Sequence, residues 1–200
     1  SLNTKQQINF CYNNSFLGVF KMAEHLIRCS WCGDDALYQH YHDTQWGKPL
    51  FDDKELFANL CLEVMQVGLS WILVLRKKEY LYQAFYDFHP DKIVCFDDND
   101  VEKLLQNKNI IRNKAKILAI IHNAKIYKKI TENQSFSDYL WGIIRQFDTY
   151  PKDNCPKTLA EVPAKTDISE KFAKQLKKDG FKFLGATTCY AFMQAVGMVN

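Results

Sequence analysis

A chain of 200 residues with 47% hydrophobic residues and a net charge of +3 has enough apolar material for one compact domain or two small lobes. That charge is too slight to mark nucleic-acid binding by itself. No apolar run approaches the roughly 20 residues a bilayer span needs, so no membrane association is expected. Seven cysteines, an odd number scattered over the chain, point to reduced thiols in a cytosol rather than a disulfide framework.

Residues 1–28 read as an extension with a weak helical tendency. No basic start or small-residue cleavage site accompanies Phe16, Leu17, Val19 and Phe20, so a secretory signal is not expected. The chain opens on Ser1, which fits a processed or appended start, and Met22 offers an internal initiator. Residues 29–200 read as a single domain. Its first stretch, "CSWCGDDALYQHYHDTQWGKPL" over 29–50, is rich in aromatics and turn formers.

A helix is expected from Asp52 or Asp53, good cap residues, to about Gln66, where Gly68 interrupts. A second is expected from Ser70 through "WILVLRKKEYLYQAFYDF" until His89-Pro90 stops it. Residues 100–130 predict two helices around an Asn-rich elbow, with Leu104, Leu105, Ile117, Ile120 and Ile121 facing a core. "FSDYLWGIIRQF" predicts another, after which Pro151, Pro156 and Pro163 mark a long loop. Residues 168–200 read as helix, Gly-bounded hairpin, helix. Strand alternation is absent, so the fold class is all-α.

One residue breaks the pattern. In "CLEVMQVGLSWILVL", Glu63 falls between Leu60 and Val67 at helical spacing, at the edge of the apolar arc. Burying an unpaired carboxylate is expensive. Either its head reaches water at a core boundary, or it has a partner that the chain does not itself supply.

The hairpin "KKDGFKFLGATT" has content of its own. Gly180 can close the first helix in a left-handed cap. Gly185, Thr187 and Thr188 open the next, whose free N–H groups and dipole suit an anion. Lys177, Lys178 and Lys182 add charge suited to a DNA phosphate. A plain helical hairpin with a solvated lysine face fits the same residues.

The segments "RCSW", "YHDTQWG", "FDDKELFANLCLEVMQVGLSWILVLRKKEYLYQAF", "NIIRNKAKILAII", "YLWG" and "GFKFLGATTCYAFMQAVGMVN" together resemble the bacterial 3-methyladenine DNA glycosylase I family of the helix-hairpin-helix superfamily. Each motif alone is weak; their shared order from Cys29 to Asn200 is specific. The resemblance implies a two-lobed fold with the damaged base flipped into a cleft between lobes, and residues 169–200 carrying the helix-hairpin-helix. It implies base-excision repair of alkylated double-stranded DNA: hydrolysis of the N-glycosidic bond, 3-methyladenine as product, and an abasic site left behind.

By the same resemblance, Glu63 accepts hydrogen bonds from the flipped adenine. Trp31, Tyr38, Tyr41, Trp46 and Trp71 form the pocket, where aromatic faces attract a cationic base by about 0.5–2 kcal/mol. Aromatics this dense also serve as plain core. Residues 66–69, with Gln66, Gly68 and Leu69, are expected to enter the DNA and fill the gap behind the flipped nucleotide; a tight turn with Leu69 in the core is the competing reading. Thr187 stands where strand-cutting relatives carry a Schiff-base lysine, so a monofunctional glycosylase is expected.

No organic cofactor is implied. Cys29 and His42 match two of the family's four structural zinc ligands, and the other two would follow "GMVN", past Asn200. Cys32 makes a Cys-x-x-Cys pair with Cys29, but no second pair exists at ligand spacing, so bound zinc is not expected in this polypeptide. A monomer is expected.

Overall fold

The computed structural model describes residues 28–147 and 161–199. The expected extension up to residue 27, the prolines at 151 and 156 and the thiol at 155 lie outside the described residues. Among the described residues there is no β-strand, as the sequence predicts. A 3-10 turn at Ser30–Cys32 leads into α1 (Ala36–Thr44), α2 (Asp53–Gln66), α3 (Trp71–Arg76), α4 (Lys78–Ala84), α5 (Pro90–Ile93), α6 (Asp98–Gln106), α7 (Lys114–Thr131), α8 (Phe136–Arg145), α9 (Asp167–Lys178) and α10 (Ala186–Ala195).

Helix α2 is the hub, packing against α3, α7, α8 and α10. It is apolar around most of its circumference, as a helix buried on several sides must be: Leu56, Phe57, Leu60, Cys61, Leu62, Val64 and Met65 are all buried. The Asp52 side chain caps its start by accepting from Glu55 N–H at 2.9 Å. Asp53 reaches across to α8, accepting from the backbone N–H groups of Phe136 and Ser137 at 2.9 and 2.8 Å. One carboxylate thus satisfies two orphan donors of a neighbouring helix and fixes the angle between the two elements.

The expected single helix over 70–88 is a point of correction. Lys77, at φ −103° and ψ 1°, divides it into α3 and α4, and helical geometry ends at Ala84. Tyr86, Asp87 and Phe88 then adopt consecutive left-handed conformations (φ 51°, 54° and 51°). Such conformations are costly for non-glycine residues. Here Phe88 is driven into the core, edge-on to Tyr82 and stacked on Phe85, and that packing offsets the backbone cost. His89-Pro90 starts α5, with Pro90 in the first turn, where its missing N–H costs nothing.

The elbow over 107–113 is present, and Asn113 caps α7 by accepting from Lys116 N–H. Leu104, Ile117, Ile120 and Ile121 are buried as expected, whereas Leu105 is half-buried at the core's edge. The hairpin between α9 and α10 closes as predicted. Gly180 has φ 103°, Gly180 N–H donates to Lys177 O and Phe181 N–H to Leu176 O, the paired bonds of a Schellman cap. Helix α7 holds this turn from behind. Asn123, fully buried, accepts from Lys182 N–H and donates to Lys182 O, and His122 Nε2 lies 2.8 Å from Gly180 O.

The segment carrying the early aromatics is strapped to the C-terminal end. Gly47 N–H donates to Ala195 O and Leu50 N–H to Val196 O. The approach demands Gly197, which has φ 69°; a Cβ there would lie 2.5 Å from Pro49 N and 2.6 Å from Lys48 C. Gly197→Ala should therefore destabilise the fold by about 1–3 kcal/mol from overpacking, with about 1 kcal/mol more from the left-handed backbone. A lowered urea midpoint at unchanged slope is the expected measurement.

Candidate active site

The five aromatics that the sequence singles out form one contiguous cluster. Trp31 lies 4.8 Å from Tyr38, 6.4 Å from Tyr41 and 5.3 Å from Trp46, between ring centroids. Tyr41 continues the chain to Trp71 at 5.4 Å. Three elements supply them: the 3-10 turn (Trp31), α1 with its trailing turn (Tyr38, Tyr41, Trp46), and the start of α3 (Trp71). Two charged contacts hold α1 against α3–α4: Arg76 Nη2 to Asp35 at 2.7 Å and Lys78 Nζ to Gln45 at 2.8 Å.

These rings wall a cavity of about 120 Å³ whose other lining residues are Glu63, Gln66, Ala191, Gln194 and Ala195. Glu63 is 3% exposed, so the reading that puts its head in water at a core boundary fails. Its Oε2 atom is buried without a hydrogen-bond partner, and so is Trp71 Nε1. These are an unused acceptor and an unused donor in one aromatic cavity. Buried polar atoms are almost always paired, so both are placed for a partner that arrives from outside.

A larger groove of about 370 Å³ lies between α8 and α9, lined by Ile143, Phe147, Lys171, Lys174 and Lys178 among others. Neither unpartnered atom lies there, and its lysines face an open surface, with Lys171 Nζ 4.9 Å from the Phe147 ring. Both unpartnered atoms belong to residues that line the smaller cavity.

Gln66 lines the cavity instead of standing wholly within the turn that follows. Val67 and Leu69 are each 38% exposed, so Leu69 is not a core residue, and Gly68 takes φ 75°. In the hairpin, Lys182, Gly185 and Thr187 are exposed and Thr188 is half-buried. Phe183 joins them at φ 61° and 41% exposure. The start of α10 has no side-chain cap, which leaves its N–H groups for a ligand or water.

The wall formed by Ala191, Gln194 and Ala195 escapes a reading of the sequence by motif. Their spacing of three and four residues puts them on one face of α10. A single carboxamide inside the apolar run "CYAFMQAVGMV" is the signal that points to it.

Cys29 and His42 do come together: Cys29 N–H donates to His42 Nε2 at 3.3 Å. On its other side His42 Nδ1 lies 3.0 Å from Asp43, and its ring stacks on Trp46 at 5.7 Å. In this arrangement His42 buttresses a pocket wall. Among the described residues no third His, Cys, Asp or Glu joins the pair at ligand spacing. The pair supplies two donors, where a structural zinc site takes four.

The chain matches a family profile described as methyladenine glycosylase over residues 31–200. It is 45% identical over 174 residues to DNA-3-methyladenine glycosylase of Haemophilus influenzae, covering 86% of this chain and 92% of that protein. A crystal structure of a 3-methyladenine DNA glycosylase I superposes with a TM-score of 0.83 at 46% identity, over 87% of this chain and 94% of the other. A structure of the Staphylococcus aureus enzyme, solved for the basis of 3-methyladenine recognition, gives 0.80 at 37% identity, over 86% and 91%.

Burial raises the Glu63 carboxyl from its ordinary 4.5 to about 8, which favours the neutral acid at neutral pH. Nearby, burial and then the Glu63 charge push the Tyr41 hydroxyl up, and push the Cys189 thiol up to about 12. The folded chain keeps the Glu63 proton where the unfolded chain releases it, so stability falls as pH rises from about 4.5 through about 8. Glu63→Gln, unable to ionise, should melt higher than the parent above that window, by a margin on the order of a few kcal/mol. The gap should close as pH falls through the window, which paired thermal melts will show.

Proposed function

The chain belongs to the methyladenine glycosylase family, and from that premise we propose that it removes 3-methyladenine from alkylated double-stranded DNA in base-excision repair. It is a hydrolase of the N-glycosidic bond, releasing the free base and leaving an abasic site. What carries this reading at the level of residues is Glu63, a buried carboxyl with an unpartnered oxygen in an aromatic cavity.

The lesion's chemistry fits that cavity. A deoxyadenosine alkylated at N3 carries positive charge on the base, which aromatic faces attract. The Glu63 carboxyl recognises the adenine edge by hydrogen bonds, and its orphan oxygen is satisfied only when the base is in place. Positive charge brought to Glu63 favours its ionised form, so lesion entry lowers the carboxyl pKa and draws out its charge. Normal adenine brings no such charge and leaves an acidic group in a desolvated pocket without compensation.

Alkylation has already made the base a good leaving group, so the reaction as proposed uses no organic cofactor. The pocket orients the base, the negative charge of Glu63 stabilises developing oxocarbenium character at the sugar, and water attacks. Glu63 is a recognition and electrostatic residue in this scheme. A hydroxyl at Thr187 cannot form an imine, so the enzyme is monofunctional and does not cut the strand.

Lys182, Gly185, Thr187 and Thr188 hold DNA phosphates at the hairpin, and residues 66–69 enter the duplex beside the lesion. Two exposed apolar side chains on that turn, Val67 and Leu69, support this. A cleft between two lobes holds the flipped base. No described helix is long and apolar enough to cross a membrane; the protein works as a monomer in the bacterial cytosol.

Methylated duplex DNA incubated with the protein should yield free 3-methyladenine by chromatography. Glu63→Ala should slow that release about 10²–10³-fold, the scale of losing one transition-state electrostatic group, while affinity for unmethylated duplex changes little. Retained binding without any base release by the parent protein would remove the enzymatic reading. Lys182→Ala should weaken binding alike across sequences and reduce the slope of log affinity against log salt by about 0.9.

A further inference from the structure

We propose that Lys116 is a positioning residue for base extrusion: its ammonium, seated beneath the end of α2, fixes residues 66–69 in the shape that presents Leu69 to the duplex. The proposal rests on the reading that this turn enters DNA.

Three successive backbone carbonyls at the turn, those of residues 65–67, have partners. A helix leaves its last carbonyls without internal partners. Here Lys116 Nζ donates to Met65 O at 2.8 Å and to Val67 O at 2.6 Å. The carbonyl between them, Gln66 O, accepts from Leu69 N–H at 2.7 Å. Three successive acceptors are thus satisfied, two of them by one side chain from a helix about fifty residues away. With Gly68 at φ 75°, the turn between Glu63's helix and Trp71's helix has its path set at both ends.

Lys116 is an odd choice for a filler. It is 5% exposed, and among the described residues it has no carboxylate partner. It occupies the first turn of α7, where that helix's own dipole disfavours a cation. Burial lowers its pKa, a sign that the charge is desolvated there. An apolar side chain would pack at less cost but would leave two carbonyls unpaired. What the cation does is complement the negative end of α2 and immobilise a turn whose apolar side chains, Val67 and Leu69, stand in water. Apolar side chains held rigidly outward make sense if they are buried only in the complex.

The decisive comparison is between duplex and single-stranded methylated DNA, because a wedge matters only where stacked pairs must be separated. In single-turnover assays Lys116→Met should slow excision from the duplex at least about tenfold and from the single strand by no more than about twofold. Quenching of tryptophan fluorescence by free 3-methyladenine should be unchanged. Lys116→Arg, keeping charge and donors, should retain the duplex rate within about threefold. Should the Met variant not fold, Lys116→Gln takes its place, with the same duplex-only loss expected.

Leu69→Ala is the control. If it slows only the duplex reaction and Lys116→Met does not, the Lys116 proposal is overturned and the wedge stands. If Leu69→Ala leaves the duplex rate untouched, the wedge reading falls and takes the proposal with it. Equal loss on both substrates by Lys116→Met also overturns the proposal, assigning the residue to the pocket or to the fold at large.

Discussion

A desolvated carboxyl without a partner is the constraint around which this molecule is arranged. Glu63 lies on a helix buried on several sides, among aromatic rings, and its Oε2 atom has no hydrogen-bond partner there. A fold optimised for stability alone would place leucine there. Keeping a polar group in that place requires the surrounding structure to be stable enough to bear it and stiff enough not to collapse onto it. The rest of the architecture supplies both conditions.

Stiffness comes from hydrogen bonds that cross between elements. Asp53 joins the start of α2 to the start of α8, and Lys116 joins the end of α2 to the start of α7. Asn123, further along α7, grips both backbone groups of Lys182 in the hairpin. The same helix therefore positions the turn after Glu63 and the loop before α10, the two features proposed to meet DNA on either side of the lesion. Meanwhile the aromatic wall drawn from the 3-10 turn and α1 is anchored to the end of α10 by a contact that admits no side chain at Gly197. These contacts tie together the elements that wall the cavity.

Helical periodicity and cap residues carried much of this in advance. Asp52, Gly180 and Gly185 mark helix ends through local rules, because caps depend on a few neighbouring residues. The aromatic pocket was legible through family resemblance; spacing alone would not have separated pocket rings from core rings. The break within 70–88 was not legible. No glycine announces the left-handed residues Tyr86, Asp87 and Phe88, and burial of Phe88 against Phe85 and Tyr82 decides the backbone there. Phe183 is a second such case. Lys116 and Gln194 were missed for a related reason, since a lysine in a helix's first turn looks solvated until the distant carbonyls beneath it are known.

In the proposed reading, charge also lets one pocket admit a damaged base and refuse an undamaged one of nearly the same shape. A missing methyl group changes binding modestly, by an amount comparable to one buried methylene, which cannot by itself protect the vast excess of normal adenine. A formal positive charge changes the balance at every wall of the cavity at once. It gains from each aromatic face, and it favours the ionised form of Glu63 that burial alone suppresses. In the proposed reading the buried Glu63 acid acts as a discriminator: its ionisation in this low-dielectric site becomes favourable when the entering base carries the compensating charge. Once the glycosidic bond breaks, that charge leaves the base and develops at the sugar. In the proposed scheme the carboxylate that helped to select the lesion also stabilises that new cation.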